Sequence, residues 1–208
     1  MDLFFASLSG FVLGASLIIA IGAQNAFILR QGLLREHVLV LVLICATCDA
    51  LLIVLGVAGF GTLVRQSQVL IDVVAVGGGL FLLTYAAFAL RRALAPSVLT
   101  PDAEGAGSLK KAVMTCLAFT LLNPHVYLDT VILVGGLSAQ YDGMARVLFG
   151  GGAVTASFVW FFSLGYGARL LVPVFRKPLA WRILDLVIAV IMTLLAVSLL
   201  MKWWQGAL

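Results

Sequence analysis

Charged side chains are scarce in this chain of 208 residues. Only 11% of the residues are charged, whereas 63% are hydrophobic. A soluble domain carries roughly 25% charge, so the shortage excludes an ordinary soluble protein. It predicts an integral membrane protein surrounded by a lipid bilayer. The apolar stretches are continuous and do not alternate with polar residues, so we expect membrane-spanning helices and not a β-barrel.

Other shortages narrow the possible functions. The thirteen basic residues are spread over several short loops and form no surface for a nucleic-acid partner. With two histidines and no His-Glu-x-x-His helix, the protein is not expected to be an enzyme. His125 and Asp129 alone have metal-ligand spacing, which is too few for a typical zinc site, so we predict no metal and no other cofactor. The cysteines stand in apolar stretches, where packing is the better interpretation: Cys45, Cys48 and Cys116.

Polar residues divide the chain into six long stretches that are uncharged or contain a single aspartate. Each stretch can cover a hydrocarbon core of about 30 Å. We therefore predict an all-α integral membrane protein with six transmembrane helices, although a five-span form with the amino terminus inside stays open. The boundaries of the stretches are Asp2 and Arg30, His37 and Arg65, Asp72 and Arg91, Lys111 and Asp142, Arg146 and Arg169, and Asp185 and Lys202.

The longest polar connector, residues 93–110, separates a first half at residues 1–92 from a second half at residues 111–208. Each half would hold three spans. Because three is odd, a duplicated half would lie inverted in the membrane, so we expect two inverted three-helix repeats. A short local match supports this: residues 22–27 and 122–127 each contain an asparagine and end in an aromatic residue.

The distribution of basic residues predicts the orientation. Ten of the thirteen fall between spans one and two, three and four, or five and six, and three fall on the other side. Cytoplasmic loops carry the excess of lysine and arginine. We therefore expect a cytoplasmic connector at residues 93–110 and both termini on the periplasmic side.

Polar residues interrupt the fourth predicted span. A carboxylate at the membrane centre costs about 2.5–3.5 kcal/mol on insertion scales, and Pro124 deprives the Thr120 carbonyl of its usual amide partner. Residues with such a cost persist where they face a cavity or a partner, so this stretch is a candidate functional site. Its polar members and proline are Asn123, Pro124, His125, Tyr127 and Asp129.

Two other spans carry candidates as well. Asp49 stands alone near the middle of the second span, and Gly22, Gln24 and Asn25 supply a flexible point and two amides in the first. A broken helix there would free backbone groups suited to the charged ends of an amino acid. The aspartates could instead be protonated and join helices by hydrogen bonds. His125 could orient the nearby carboxylate or simply pack.

Two carboxylates in an uncharged membrane interior favour a cationic substrate or protons. An inside-negative membrane potential opposes outward movement of a cation by about 2.3 kcal/mol per charge per 100 mV. An exporter of a monovalent cation therefore needs coupling, and a proton entering as the cation leaves would cancel the charge. Asp129 with His125, or Asp49, could alternate between holding the proton and holding the substrate.

Two motifs resemble the signatures of the LysE family of basic amino acid exporters. Residues 22–32, Gly-Ala-Gln-Asn-Ala-Phe-Ile-Leu-Arg-Gln-Gly, resemble the first-span signature, and residues 123–130, Asn-Pro-His-Val-Tyr-Leu-Asp-Thr, resemble the fourth-span one. Asp49 in the second span fits the same pattern. The resemblance implies a bacterial inner-membrane exporter of L-lysine or L-arginine, driven by the proton motive force. It also implies inverted halves and a homo-oligomer, such as a homodimer.

Two positions refine the resemblance. Relatives that export neutral amino acids often carry Asn-Pro-Lys where this chain has Asn123, Pro124 and His125. A fixed lysine would repel a cationic substrate, whereas a histidine can be neutral at pH 7. Some relatives have proline where Ala23 stands, so flexibility in the first span would depend on Gly22.

We therefore predict export of basic L-amino acids by proton antiport. Asparagine amides and freed backbone would bind the α-amino and α-carboxylate groups, and the aspartates would meet the cationic side chain or carry the proton. Proton coupling would involve Asp49, Asp129 and His125. The helix breaks would lie at Gly22 and Pro124. The substrate-binding residues would be Gln24, Asn25, Asp49, Asn123, His125, Tyr127 and Asp129. Alternatives are efflux of a neutral amino acid or a metal cation, a passive channel, or a structural membrane subunit.

Overall fold

The structure is a computed structural model in which every regular element among the described residues is helical. The prediction of an all-α protein is confirmed for this part of the chain. Most of the expected connector and Arg65 lie outside the described residues. The structure describes residues 3–19, 22–61, 68–94 and 108–206, with the backbone alone at residues 68–71.

Eight helices organise these residues. Two 3₁₀ turns, Ala168–Leu171 and Val174–Arg176, connect the last two helices. The helix α6 contains an eight-residue π-helical segment at Tyr127–Val134. The helices are α1 (Leu3–Ile18), α2 (Ala23–Leu34), α3 (Val38–Val57), α4 (Gln68–Leu94), α5 (Leu109–Leu121), α6 (Pro124–Ser138), α7 (Gly143–Gly167) and α8 (Pro178–Trp204).

Four helices, α3, α4, α7 and α8, are each long and apolar enough to cross a membrane. The pair α1 and α2 is bent by 82°, and the pair α5 and α6 is bent by 59°. Each bent pair corresponds to a broken span or a re-entrant segment. The described residues therefore supply four to six membrane crossings, and the prediction of a multi-pass membrane protein is confirmed.

Apolar side chains cover the outer surface of the helices. Leu51, Val54, Leu80, Val190 and Leu194 are each more than half exposed. A contiguous apolar surface of this kind is rare on soluble monomers, but it suits contact with lipid. Asp49, Ser157 and Asp185 are instead buried where the helices contact one another.

Small residues set the closest helix contacts. A Cβ atom at Gly10 would collide with the Phe149 backbone, and one at Gly14 would lie 2.9 Å from the Ala153 Cα atom. The helices α1 and α7 therefore approach at backbone distance, as membrane helices with small residues do. The helix α3 packs against α5, α6 and α7, and α4 packs along α8.

Both bent pairs break where the sequence loses helix-forming capacity. Asn123 has extended backbone angles (φ −102°, ψ 107°), because the ring of Pro124 disfavours the helical conformation of the residue before it. The Asn123 Oδ1 atom accepts a hydrogen bond from the His125 amide at 3.1 Å and caps the new helix. At the first break, Gly22 is extended (φ −115°, ψ 177°) and contributes no side-chain cap. The sequence has no proline at the first break, yet α1 ends there at Ile18.

Candidate functional site

A cavity of about 330 Å³ lies between the two helix breaks. This volume is at the lower end of the range for small-molecule sites, roughly 300–1,000 Å³. All eight helices contribute to its lining, which combines aromatic rings with a small set of polar groups. The polar lining residues are Gln24, Asn25, Asp49, Asn123, His125, Asp129 and Thr130. The cavity thus brings together six of the seven substrate-binding residues expected from the sequence, and Gly22 from the first break.

Asp49 is the most enclosed carboxylate of the cavity. It occupies the middle of α3 and is 3% exposed. The Ser157 hydroxyl of α7 donates a hydrogen bond to Asp49 Oδ2 at 3.0 Å. The other oxygen, Oδ1, has no hydrogen-bond partner, and no basic side chain of the described residues lies within 4.0 Å of the carboxylate. One acceptor atom is therefore available to a ligand.

Asp129 and His125 line the same cavity from α6. Asp129 lies in the π-helical segment, a geometry that is common at functional sites. Like Asp49, it forms no salt bridge with any described basic side chain. The segment packs on α3, where a Cβ atom at Gly56 would lie 2.7 Å from the Thr130 and Val131 carbonyl oxygens. The close approach of the two helices brings both carboxylates to one cavity.

The two amides of α2 have different surroundings. Asn25 Nδ2 donates to the Ile18 carbonyl at 2.8 Å across the first break, and Asn25 Oδ1 accepts from Trp160 Nε1 at 3.2 Å. Gln24 is 8% exposed, and its Nε2 atom is buried without an acceptor. Asn25 therefore holds the break together, whereas Gln24 lines the cavity and has an amide nitrogen without an acceptor among the described residues.

Tyr127 and Pro124 do not belong to the cavity lining. The Tyr127 hydroxyl donates to the Leu121 carbonyl at 2.8 Å. That carbonyl belongs to the last residue of α5, where the break removes its usual amide partner. Among the residues the structure describes, Tyr127 thus contacts the second break and not the cavity.

A second buried carboxylate lies at one end of the bundle. Asp185 of α8 is 2% exposed and accepts hydrogen bonds from Arg92 Nη2 at 2.8 Å and Nε at 3.1 Å. Arg30 Nε lies 3.6 Å from the same oxygen. We call Arg30, Arg92 and Asp185 the ionic cluster. It joins the carboxyl-terminal halves of α2 and α4 to the first half of α8.

Aromatic rings occupy the space between the cavity and the ionic cluster. Phe81 and Phe119 line the cavity, and the Tyr85 ring packs edge-on against Phe119 at 4.8 Å. The Arg92 guanidinium lies 5.6 Å from the centre of the Tyr85 ring. A continuous series of ring contacts therefore separates the cavity from this end of the bundle.

Comparison with known proteins assigns the family. The LysE type translocator model matches residues 15–203. The chain belongs to this family. The recognition that residues 22–32 and 123–130 suggested is thus confirmed.

Named relatives of this LysE-type translocator include exporters. It is 39% identical to the arginine exporter protein ArgO of Pectobacterium carotovorum over 199 residues, which is 95% of this chain and 98% of the relative. It is 40% identical to the ArgO protein of Salmonella enteritidis over 191 residues, or 91% and 90% of the two chains. A Mycobacterium bovis protein, provisionally named an amino-acid transporter, is 48% identical over 182 residues, or 88% and 90%. No solved structure matches this translocator.

Several residues around the site were not identified from the sequence. Ser157 and Trp160 are a serine and a tryptophan in an apolar helix, and only the packing of α7 on α2 and α3 brings them to Asn25 and Asp49. The sequence marks Asp185 only as the boundary of an apolar span. It gives no further signal, because the arginine partners of Asp185 come from other helices.

Proposed function

We propose that this LysE-type translocator exports basic L-amino acids, lysine or arginine, across the bacterial inner membrane in exchange for protons. The observation that supports the proposal best is the pair of cavity carboxylates, Asp49 and Asp129, which form no salt bridge with a described side chain. A buried carboxylate without a partner favours a cation or a proton. Relatives named arginine exporters over nearly the full length support the same substrate class.

The chemistry of the cavity matches that of a basic amino acid. Such a substrate carries two cationic groups and one carboxylate, and the cavity has two carboxylates and several amide groups. A neutral amino acid would leave one cavity carboxylate without a cationic partner. Aromatic and aliphatic side chains around these groups would support the methylene chain of the substrate.

Charge balance supports proton exchange. Two ionised aspartates and a substrate of net charge +1 would leave one negative charge in an apolar cavity. A proton on one aspartate neutralises the remaining negative charge. The other aspartate then binds either the substrate or a second proton, which makes the two exchange with each other. Outward movement of the cation alone would be opposed by about 2.3 kcal/mol per 100 mV, and an inward proton cancels this term. His125 would orient Asp129.

The two asparagines have parallel roles in this proposal. Asn25 bonds the Ile18 carbonyl at the first break, and Asn123 bonds the His125 amide at the second. Each asparagine side chain thereby bonds a backbone group that has lost its helical partner at the break. This would keep the ends of the two half-helices open to the cavity. Asn123 still has an amide nitrogen that could meet the substrate.

The packing supports an inverted repeat. The helix α2 packs on α7, and its counterpart α6 packs on α3. The second helices of the halves, α3 and α7, contact each other, as do the third helices, α4 and α8. A pseudo-two-fold axis in the membrane plane would give these reciprocal contacts. With the basic loops in the cytoplasm, both termini would be periplasmic, and a reporter fused to the carboxyl terminus tests this.

Efflux from proteoliposomes tests the function. Vesicles are loaded with labelled lysine, arginine or leucine, and release is followed with and without a pH gradient. We expect rapid release of arginine or lysine that depends on the gradient, and slow release of leucine. Equal rates for the three would refute the cationic-substrate proposal. Release at the same rate with and without the pH gradient would indicate a passive channel.

A further inference from the structure

We propose that the amino end of α2 and the Gln24 side chain form the subsite for the substrate's α-carboxylate. The proposal rests on the proposed function and extends it, because it assigns one end of the substrate to one wall of the cavity. The carboxylates of the cavity lining, Asp49 and Asp129, would then receive the cationic groups.

The amino end of α2 places backbone donors at the cavity. The helix has twelve residues and begins at Ala23, and Gly22 provides no side-chain cap. The first amides of a helix have no acceptor within it, and the helix dipole adds partial positive charge at this end. Gly22, Ala23 and Gln24 all line the cavity, so an anion there would meet these donors directly.

Gln24 gives independent evidence for an anionic ligand. It is 8% exposed, and its Nε2 atom is fully buried without an acceptor among the described residues. Buried side-chain donors are almost always hydrogen-bonded. A carboxylate in the cavity would accept from Nε2 and from the adjacent backbone amides together.

The second break is a poorer place for the carboxylate. Pro124, the first residue of α6, has no amide hydrogen, and the His125 amide already donates to Asn123 Oδ1. This end of the cavity also carries Asp129, whose charge would repel an anion. The difference between the amino ends of α2 and α6 therefore favours an orientation in which the substrate's carboxylate lies at α2.

Substrate analogues can detect this subsite. L-Argininamide keeps the α-amino group and the guanidinium but replaces the carboxylate with a neutral amide, and agmatine lacks the carboxylate altogether. Purified wild-type protein should be stabilised against heating by L-arginine at concentrations about tenfold lower than by either analogue, since a hydrogen bond to a charged group contributes about a factor of ten. Equal stabilisation by the three compounds would overturn the subsite without any variant.

The variant Gln24→Glu sharpens the test in proteoliposomes. It places a carboxylate against the substrate's carboxylate, so the ratio of arginine to argininamide export should fall about tenfold or more. Gln31→Glu is the matched control, because Gln31 is an equally buried glutamine of the same helix outside the cavity lining. Gln24→Met, which removes the donor without adding charge, should lower the ratio less and serves if the glutamate variant does not fold.

The outcomes separate the two proposals. Normal arginine export with an unchanged arginine-to-argininamide ratio in Gln24→Glu and Gln24→Met would overturn the subsite alone. A wild-type protein that exports neither arginine nor lysine would overturn the proposed function and the subsite with it. A lowered ratio in the Gln24 variants, with the Gln31→Glu ratio unchanged, is the result we expect.

Discussion

Two regions of this protein enclose carboxylates, and they differ in how the negative charge is balanced. Asp185 in the ionic cluster has both of its arginine partners within 3.6 Å. Asp49 and Asp129 line a cavity and form no salt bridge with any described side chain. The first arrangement completes its own charge balance. The second requires a proton or a cation from outside the protein.

The contrast separates structure from transport. A buried carboxylate with two guanidinium partners fixes the helices that carry the three groups, here α2, α4 and α8. A buried carboxylate without partners is costly to the folded state and therefore suits exchange of bound ligands. Removal of charge should consequently have opposite effects in the two regions, and the predictions below use that difference.

Neutralising the cavity carboxylates should have the largest effect. Asp49→Asn and Asp129→Asn should each lower pH-driven export of arginine by about a hundredfold or more, because the substrate loses a buried charge partner. For Asp49→Asn, thermal stability should stay the same or rise, since a buried charge has been removed. Export is measured in proteoliposomes, with the exposed loop substitution Asp142→Asn as control. Full transport in both cavity variants would remove the distinction between the regions.

Neutralising the ionic cluster should affect stability first. Asp185→Asn leaves two guanidinium groups beside a neutral amide and should lower the free energy of unfolding by about 3 kcal/mol. This value is at the lower end for buried pairs because Arg92 is partly exposed. Unfolding in detergent micelles measures the change, and the double variant Asp185→Asn, Arg92→Gln should recover part of it. An unaltered melting temperature would contradict a structural role for the cluster.

A positive charge in the cavity should alter selectivity. His125→Lys should reduce arginine export by about tenfold or more through repulsion of the cation, and leucine export should fall less. His37→Lys, at the other histidine of the chain and outside the cavity lining, is the comparison. A parallel loss for arginine and leucine would indicate damage to the fold and not a charge effect.

The smallest effect should follow removal of the Asp49 hydrogen bond. Ser157→Ala should change arginine export about two- to tenfold, because one hydrogen bond to a carboxylate is lost while the carboxylate stays. We expect the pH profile of export to change as well, because Asp49 loses the hydrogen bond that Ser157 donates. The control is Ser138→Ala, a buried serine that bonds the Gly135 carbonyl outside the cavity. Identical pH profiles for Ser157→Ala and wild type would show that the hydroxyl does not tune Asp49.

Much of the cavity could be predicted from the sequence because membrane burial makes polar residues conspicuous. Asp49, His125 and Asp129 interrupt long apolar stretches, and Pro124 restricts the backbone locally, so chain position alone pointed to them. The all-helical class followed from the same shortage of charge.

The remaining features depend on contacts that a linear sequence does not display. The π-helical segment forms where α6 meets α3 at Gly56, and the partners of Asp185 come from helices far away in the chain. The role of Tyr127 depends on the Leu121 carbonyl across a break. Gln24 and Asn25 are adjacent residues with amide side chains, and only the structure distinguishes them. The Gln24 amide nitrogen has no acceptor among the described residues, whereas that of Asn25 bonds the Ile18 carbonyl of α1.

Proton release on substrate binding tests the central claim most directly. Arginine is added to weakly buffered purified protein, and the pH is followed with an indicator dye. We predict that wild-type protein and Asp142→Asn release protons as arginine binds, and that Asp49→Asn and Asp129→Asn release fewer or none. Arginine binding without proton release, or the same release in the two cavity variants, would contradict exchange of a proton for a cation at these carboxylates.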